Sequence, residues 1–190
     1  MQFTAMSLSL RDATLADLPA IAAIYRESVL NGVATYEIEP PSEAEMRNRF
    51  ETIIGNGYPY VVACDGSGSI VGYAYASAFR TRTAYRFLVE DSIYLAPEAR
   101  GKGAGKALLV ELIRRCTELG FRQMVAVIGG AHPASIAVHS SLGFEHQGTM
   151  KATGFKHGRW LDTAIMQLAL GEGQKSDPPE DVYPDTLYQN

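Results

Sequence analysis

The chain has 190 residues, 46% of them hydrophobic and 20% charged, with a formal net charge of −4. That length fills one core and is short for two ordinary domains, so a single domain is expected. An acidic balance with no basic run longer than two residues argues against a nucleic-acid surface. The stretch Met1 to Met6 lacks a basic region followed by an apolar block, and nowhere do 18 apolar residues run together. No membrane partner is expected, and the location is read as cytoplasmic. Only Cys64 and Cys116 occur, which suits buried thiols in a reducing compartment; no metal-ligand spacing involves either.

In chain order, residues 1–7 read as an N-terminal extension and 8–170 as the domain. Thr14 and Asp17 fit a helix start, with Ile21, Ile24, Tyr25 and Val29 at helical spacing before Asn31-Gly32. Ser42-Glu43-Ala44-Glu45 is a capping box that opens a second helix running to about Gly55. Strand runs at Tyr60 to Cys64 and Ser69 to Phe79 flank Asp65-Gly66-Ser67-Gly68, which predicts a hairpin. A polar loop, Arg80 to Arg86, leads into a strand from Phe87 to Leu95.

A helix then places Leu108, Leu109, Leu112, Ile113, Cys116 and Leu119 on one face, and Gly120 ends it. Arg122 to Ile128 is rich in strand formers, and Pro133 opens a short helix that closes at Leu142-Gly143. Phe144 to Thr153 and Trp160 to Leu170 read as a final strand pair. Residues 171–190 hold five acidic residues, one lysine and three prolines, which predicts an extended or disordered tail.

The chemistry concentrates in Arg100-Gly101-Lys102-Gly103-Ala104-Gly105-Lys106, between a strand and a helix start. Backbone N–H groups at a helix N-terminus hold phosphate oxygens, and a side chain at Gly101, Gly103 or Gly105 would keep a pyrophosphate from the main chain. A Walker loop would need glycine in place of Arg100 and Ser or Thr in place of Ala107. The dinucleotide fingerprint would need a third glycine at Lys106 or Leu108. Arg-x-x-Gly-x-Gly remains.

That loop resembles the cofactor loop of the GNAT superfamily of N-acetyltransferases, which bind acetyl-coenzyme A. The resemblance implies an α/β (α+β) acyl-CoA N-acyltransferase fold, a central mixed, mostly antiparallel sheet flanked by helices. Within the superfamily four stretches resemble the phosphinothricin N-acetyltransferase and methionine sulfoximine acetyltransferase branch. They are Val89-Glu90-Asp91-Ser92-Ile93-Tyr94-Leu95, Val125-Ala126-Val127-Ile128-Gly129, His139-Ser140-Ser141-Leu142-Gly143-Phe144 and Gly154-Phe155-Lys156-His157-Gly158-Arg159-Trp160. The implied activity is acetylation of an amino-acid α-amino group.

By the same resemblance Glu90 is the catalytic base, since an amine attacks a thioester only when unprotonated and α-amino groups are mostly ammonium at neutral pH. An ion pair from Glu90 to Arg82 or Arg86 is the alternative. His139 stands where many members carry the tyrosine that protonates the departing thiolate, leaving acid, base and positioning roles open. The main chain of Ile93, Tyr94 and Leu95 would pair with the pantetheine arm, with the Leu95 N–H polarising the thioester carbonyl. Arg100, Gly101, Lys102, Gly103, Ala104, Gly105 and Lys106 would take the pyrophosphate. His132 replaces the asparagine usual in the family. Arg80, Arg82 and Tyr85 fall in the loop that meets the acceptor's carboxylate and oxyanion, and Tyr36 and Val127 on pocket-lining positions. Branch members are often homodimers, and Trp160 or Tyr85 would suit an interface. Acetylation of a protein N-terminus or lysine, and non-catalytic acyl-CoA sensing, are the competing functions.

Overall fold

Side-chain alternation and helical spacing lay out most of the chain. The computed structural model describes residues 7–189, so the extension at residues 1–7 lies outside the description except for Ser7. The strands are β1 (Ser9–Asp12), β2 (Tyr60–Cys64), β3 (Ile70–Ala78), β4 (Leu88–Leu95), β5 (Gln123–Gly129), β6 (Glu145–Lys156) and β7 (Arg159–Ala169). The helices are α1 (Leu18–Asn31), α2 (Glu43–Gly55), α3 (Ala104–Glu118) and α4 (Pro133–Ser140). One sheet runs in the order β1-β2-β3-β4-β5-β7-β6, and every pair is antiparallel except β4 with β5. Among the described residues no helix is long and apolar enough to cross a membrane.

Capping does what its residue types require. Thr14 and Asp17 close a capping box around a 3₁₀ turn, and α1 follows with Pro19 in its first turn. The Ser42 hydroxyl accepts from the Glu45 N–H at 3.2 Å to start α2. In the hairpin the Asp65 carboxylate accepts from the Ser67 and Ser69 N–H groups at 2.9 and 3.1 Å, an Asx turn. The sheet separates two cores. On one face Leu108, Leu109, Leu112 and Cys116 of α3 pack on Val61, Ala74, Val89, Met124 and Ala126. On the other, Ile21, Ile24, Tyr25 and Val29 of α1 and Met46 and Phe50 of α2 cover Tyr60, Val62 and Tyr73.

Two expectations change. Ser9–Asp12 forms an edge strand on β2 that its short, polar sequence did not signal. The C-terminal segment is neither extended nor disordered: Leu187 is buried in the α3-side core with Tyr183 and Tyr188 beside it. Of its acidic side chains Asp185 is buried and bonded to Arg86 at 2.6 Å, so composition alone misjudges the segment.

Candidate active site

The sheet opens where β4 and β5 part. They pair only over Leu88–Asp91 and Gln123–Ala126. Beyond Asp91, β4 stays on β3 as far as Leu95, and the Ala96 N–H still donates to the Val71 carbonyl at 2.9 Å. Peptide groups alternate along a strand, so those of Ile93 and Leu95 turn away from β3 toward the gap. This is a strand edge ready to pair with an extended amide-bearing ligand. Tyr94, by contrast, points its peptide at β3, and its ring packs edge-on to Tyr25 with centroids 4.9 Å apart.

The glycine loop closes one end of that gap. Gly101 and Gly103 are exposed with φ of +71° and +90°, the left-handed region, and a Cβ at either would meet nothing within 4 Å. The conformation excludes ordinary residues, and the space is open to a phosphate. The first turn of α3 begins at Ala104 and presents its N–H groups here, with Lys102 and Lys106 exposed beside it. Gly105 serves differently, since a Cβ there would sit 3.3 Å from Leu95 Cδ1. Arg100 is not a free phosphate ligand: its guanidinium pairs with Glu27 of α1 and donates to the Leu95 carbonyl at 3.3 Å. An unpaired strand edge leading into an N–H-lined, glycine-walled turn fits an acyl-CoA, arm and pyrophosphate respectively. His132, at the N-cap of α4, is exposed and caps nothing with its side chain.

Glu90 lies at the last paired stretch before the gap, opposite Ser77 on β3 and Val125 on β5. Directly opposed residues share a face, so these three stand on the α1–α2 side with Tyr75 and Ser92. Glu90 makes no ion pair among the described residues, because Arg86 is engaged by Asp185. Burial pushes the Glu90 carboxyl up to about 7, the Asp91 charge adds to that, and Arg80 partly offsets it. A carboxyl poised near neutrality accepts a proton from an ammonium and releases it to water.

Asp91 points the other way and meets His139. The imidazole is 4% exposed. Its Nδ1 donates to the Ser135 carbonyl at 2.7 Å, and Nε2 lies 3.0 Å from Asp91 Oδ2. Burial lowers the imidazole value, but the Asp91 hydrogen bond and charge with the Ser135 carbonyl outweigh it, and the net shift is upward. A protonated ring satisfies both acceptors. Both nitrogens are therefore committed, and Asp91 Oδ1 remains buried without a partner. His139 reaches the site as the counter-ion of Glu90's neighbour, not as a free imidazole facing the gap.

The acceptor-side residues separate into two groups. Tyr36 is fixed at the mouth of β5: its hydroxyl lies 2.7 Å from Thr163 Oγ1, donates to the Asp162 carbonyl at 3.0 Å and accepts from Gly130 N–H at 3.1 Å. Its ring fits because a Cβ at Gly154 would come within 2.7 Å of it. Val127 lies on β5 one alternation beyond Val125, on Glu90's face, and is exposed. Arg80 stacks its guanidinium 4.2 Å over Phe79 and influences Glu90 electrostatically. Arg82 instead lines an open cleft of about 550 Å³ with Thr81, Thr83 and Tyr188, while Tyr85 packs edge-on to Phe79. The sequence reading missed Asp91, whose partner lies 48 residues away, and Tyr75, which the alternation of β3 on Glu90's face would have flagged. It also missed Tyr188, for which no local signal exists.

The family model described as an acetyltransferase (GNAT) domain matches residues 10–165. A phosphinothricin N-acetyltransferase of Alcaligenes faecalis is 46% identical over 163 residues, 85% of this chain and 82% of its own. An L-methionine sulfoximine/L-methionine sulfone acetyltransferase of Pseudomonas aeruginosa is 44% identical over 165 residues, 87% of this chain and 96% of its own. A crystal structure of a GNAT superfamily phosphinothricin acetyltransferase from Sinorhizobium meliloti, in complex with AcCoA, superposes with a TM-score of 0.96 at 75% identity, covering 97% of this chain and all of that one.

Proposed function

The chain belongs to the GNAT acetyltransferase family and uses acetyl-CoA, and from that premise we propose that its acceptor is the α-amino group of a small amino acid of the phosphinothricin or methionine sulfoximine class. The observation that carries the reading is Glu90, a half-buried carboxyl poised at about 7 beside the gap between β4 and β5. Acceptor ammonium gives its proton to Glu90, directly or through a water. The freed amine attacks the thioester carbonyl, whose oxygen takes the Leu95 N–H as charge develops. Collapse breaks the C–S bond, leaving an acetamide on the acceptor and coenzyme A as thiolate, which takes a proton from solvent or from the amine nitrogen.

His139 acts here as a positioning residue. Its imidazolium offsets the Asp91 charge and so limits how far Glu90 is raised. Arg80 and Arg82 supply cations for the carboxylate and oxyanion of the acceptor. The names of the two bacterial relatives, at 46% and 44% identity, support that acceptor class. Phe155 and Trp160, in edge-on contact at 5.2 Å and 56% and 67% exposed, support a homodimer through the β6–β7 hairpin. We read the enzyme as cytoplasmic.

Thiol release from acetyl-CoA, measured across phosphinothricin, methionine sulfoximine, methionine sulfone, ordinary amino acids and a protein N-terminal peptide, tests this function. Saturable turnover with the free amino acids is expected, and Arg80→Ala, Arg82→Ala and their double variant should raise acceptor KM while leaving acetyl-CoA KM unchanged. Turnover on the peptide alone would reassign the enzyme to protein acetylation. Cofactor binding without any turnover would make it a sensor.

A further inference from the structure

The family model ends at residue 165, yet the chain continues through a segment bonded to the candidate acceptor loop. Two side-chain links join them. The Thr83 hydroxyl donates to the Tyr188 carbonyl at 2.6 Å. Arg86 spans the two pieces: Nε donates to Asp185 Oδ1 at 2.8 Å, and the same guanidinium donates to the Thr83 carbonyl at 3.0 Å. The Tyr188 hydroxyl meets the Tyr58 hydroxyl at 2.6 Å, fixing the segment's end to the connection between α2 and β2.

Asp185 is itself held. It is 7% exposed and accepts from the Asp181 N–H at 2.8 Å. Leu187 and Tyr183 are packed in the α3-side core, Tyr183 edge-on to Phe121 with centroids 5.6 Å apart. The segment is therefore anchored independently of the loop. The loop has little anchoring of its own: Thr81, Arg82, Ala84 and Tyr85 are all exposed, and one 3₁₀ turn, Thr83–Tyr85, is its regular structure. Tyr188 lines the same open cleft as Arg82.

We propose that the C-terminal segment Asp181–Gln189 is a positioning element of the acceptor site, holding the Thr81–Arg86 turn so that Arg80 and Arg82 are aimed before the acceptor arrives. This rests on the reading that the turn meets the acceptor. An arginine on a loose turn must be ordered during binding, which weakens the acceptor complex. An arginine on a turn bonded to a packed segment is ordered in advance. Cofactor binding is untouched, since the segment's contacts lie at the opposite end of β4 from the glycine loop.

The test is Asp185→Asn and, separately, Thr83→Val in the full chain, with Asp185→Glu as the rescue. Each of the first two should raise acceptor KM about fivefold or more, with acetyl-CoA KM near the parent's, because a charge-assisted or buried bond to the turn is lost. Hydrogen exchange at the Tyr85 and Arg86 amides, which close the turn onto Arg82 and Thr83, should speed up in both, and Asp185→Glu should restore much of the KM. Thr83→Val keeps the test alive if Asp185→Asn fails to fold. Faster exchange with unchanged acceptor KM, in an enzyme where Arg82→Ala or Arg80→Ala does raise it, overturns the proposal and leaves the acceptor reading standing. Equal rises in both KM values would reduce the segment to a general stabiliser and overturn it too. If the arginine variants are themselves without effect, the acceptor reading is what has failed.

Discussion

Replacing Glu90 by glutamine should stabilise the protein while disabling it. The carboxyl value of about 7, against an ordinary 4.5, means that the folded state keeps a proton the unfolded chain has already released. Stability therefore falls as pH climbs from 4.5 to about 7 and stays at the lower level above that. At about 1.4 kcal/mol per tenfold change in proton affinity, the buried charge costs about 3 kcal/mol when fully formed. Glutamine carries no charge, so the advantage of Glu90→Gln over the parent should grow by about 2–3 kcal/mol between about pH 5 and pH 8.5. Urea unfolding followed by circular dichroism at the two pH values measures it. The same change removes the proposed base: kcat near neutral pH should fall about 10²-fold or more, recovering in part at high pH as the amine deprotonates unaided. The acid limb of the parent's kcat/KM profile, with its midpoint near 7, should vanish, and acetyl-CoA affinity should hardly move. An advantage equal at both pH values would refute burial as the cause of the raised value. Parent-like turnover would take Glu90 out of the chemistry.

Gly103→Val forces a branched residue into φ of +90° and should cost about 1–2 kcal/mol in melting experiments; titration calorimetry should show acetyl-CoA binding weakened about tenfold or more, since the branches fill the phosphate approach. His139→Ala leaves the Asp91 carboxylate buried without its partner and should cost about 3–5 kcal/mol. Because the imidazole value is raised, the pair's contribution is complete below pH 6.5 and lost as pH rises through the folded value, so that loss should be larger at pH 6 than at pH 9. With Asp91 no longer offset, the acid limb of kcat/KM should also move to higher pH; an unmoved limb would reduce His139 to packing.

What could be read from the sequence was local. A serine before a helix, an Asp-Gly-Ser-Gly turn between alternating runs and three glycines between strand and helix each act within a few residues, and each formed where it was expected. The order of elements from α1 to β7 followed. What escaped acts across the chain. Asp91 meets His139 from 48 residues away and Arg86 meets Asp185 from 99, and no spacing rule reports such a pair. Arg100 looked like a phosphate ligand because its neighbours are glycines and lysines, yet Glu27 on α1 takes its guanidinium. The tail misled for a related reason: its composition matches a solvated segment, but Tyr183, Leu187 and Tyr188 contribute enough apolar surface to hold it on the core.

The dipeptide Glu90-Asp91 shows why alternation, more than residue type, assigns the chemistry. Two adjacent carboxylates look interchangeable in sequence, but successive side chains on β4 face opposite sides of the sheet. Asp91 turns toward α4, where an imidazole meets it at 3.0 Å. Glu90 turns toward the acceptor side, where no cation bonds it and burial raises it to about 7. An unpaired, desolvated carboxylate is a good proton acceptor near neutral pH. Shifting β4 by one residue would exchange the two faces and put the wrong carboxylate in each place. The seven opposed positions between β3 and β4, from Gly72 with Leu95 to Ala78 with Val89, resist that slip. So does the apolar set Val89, Ile93 and Leu95, which must stay packed on the α3 side. The register that fills the core is thus the same register that leaves the Glu90 carboxyl unpaired and raised to about 7, as the proposed base requires.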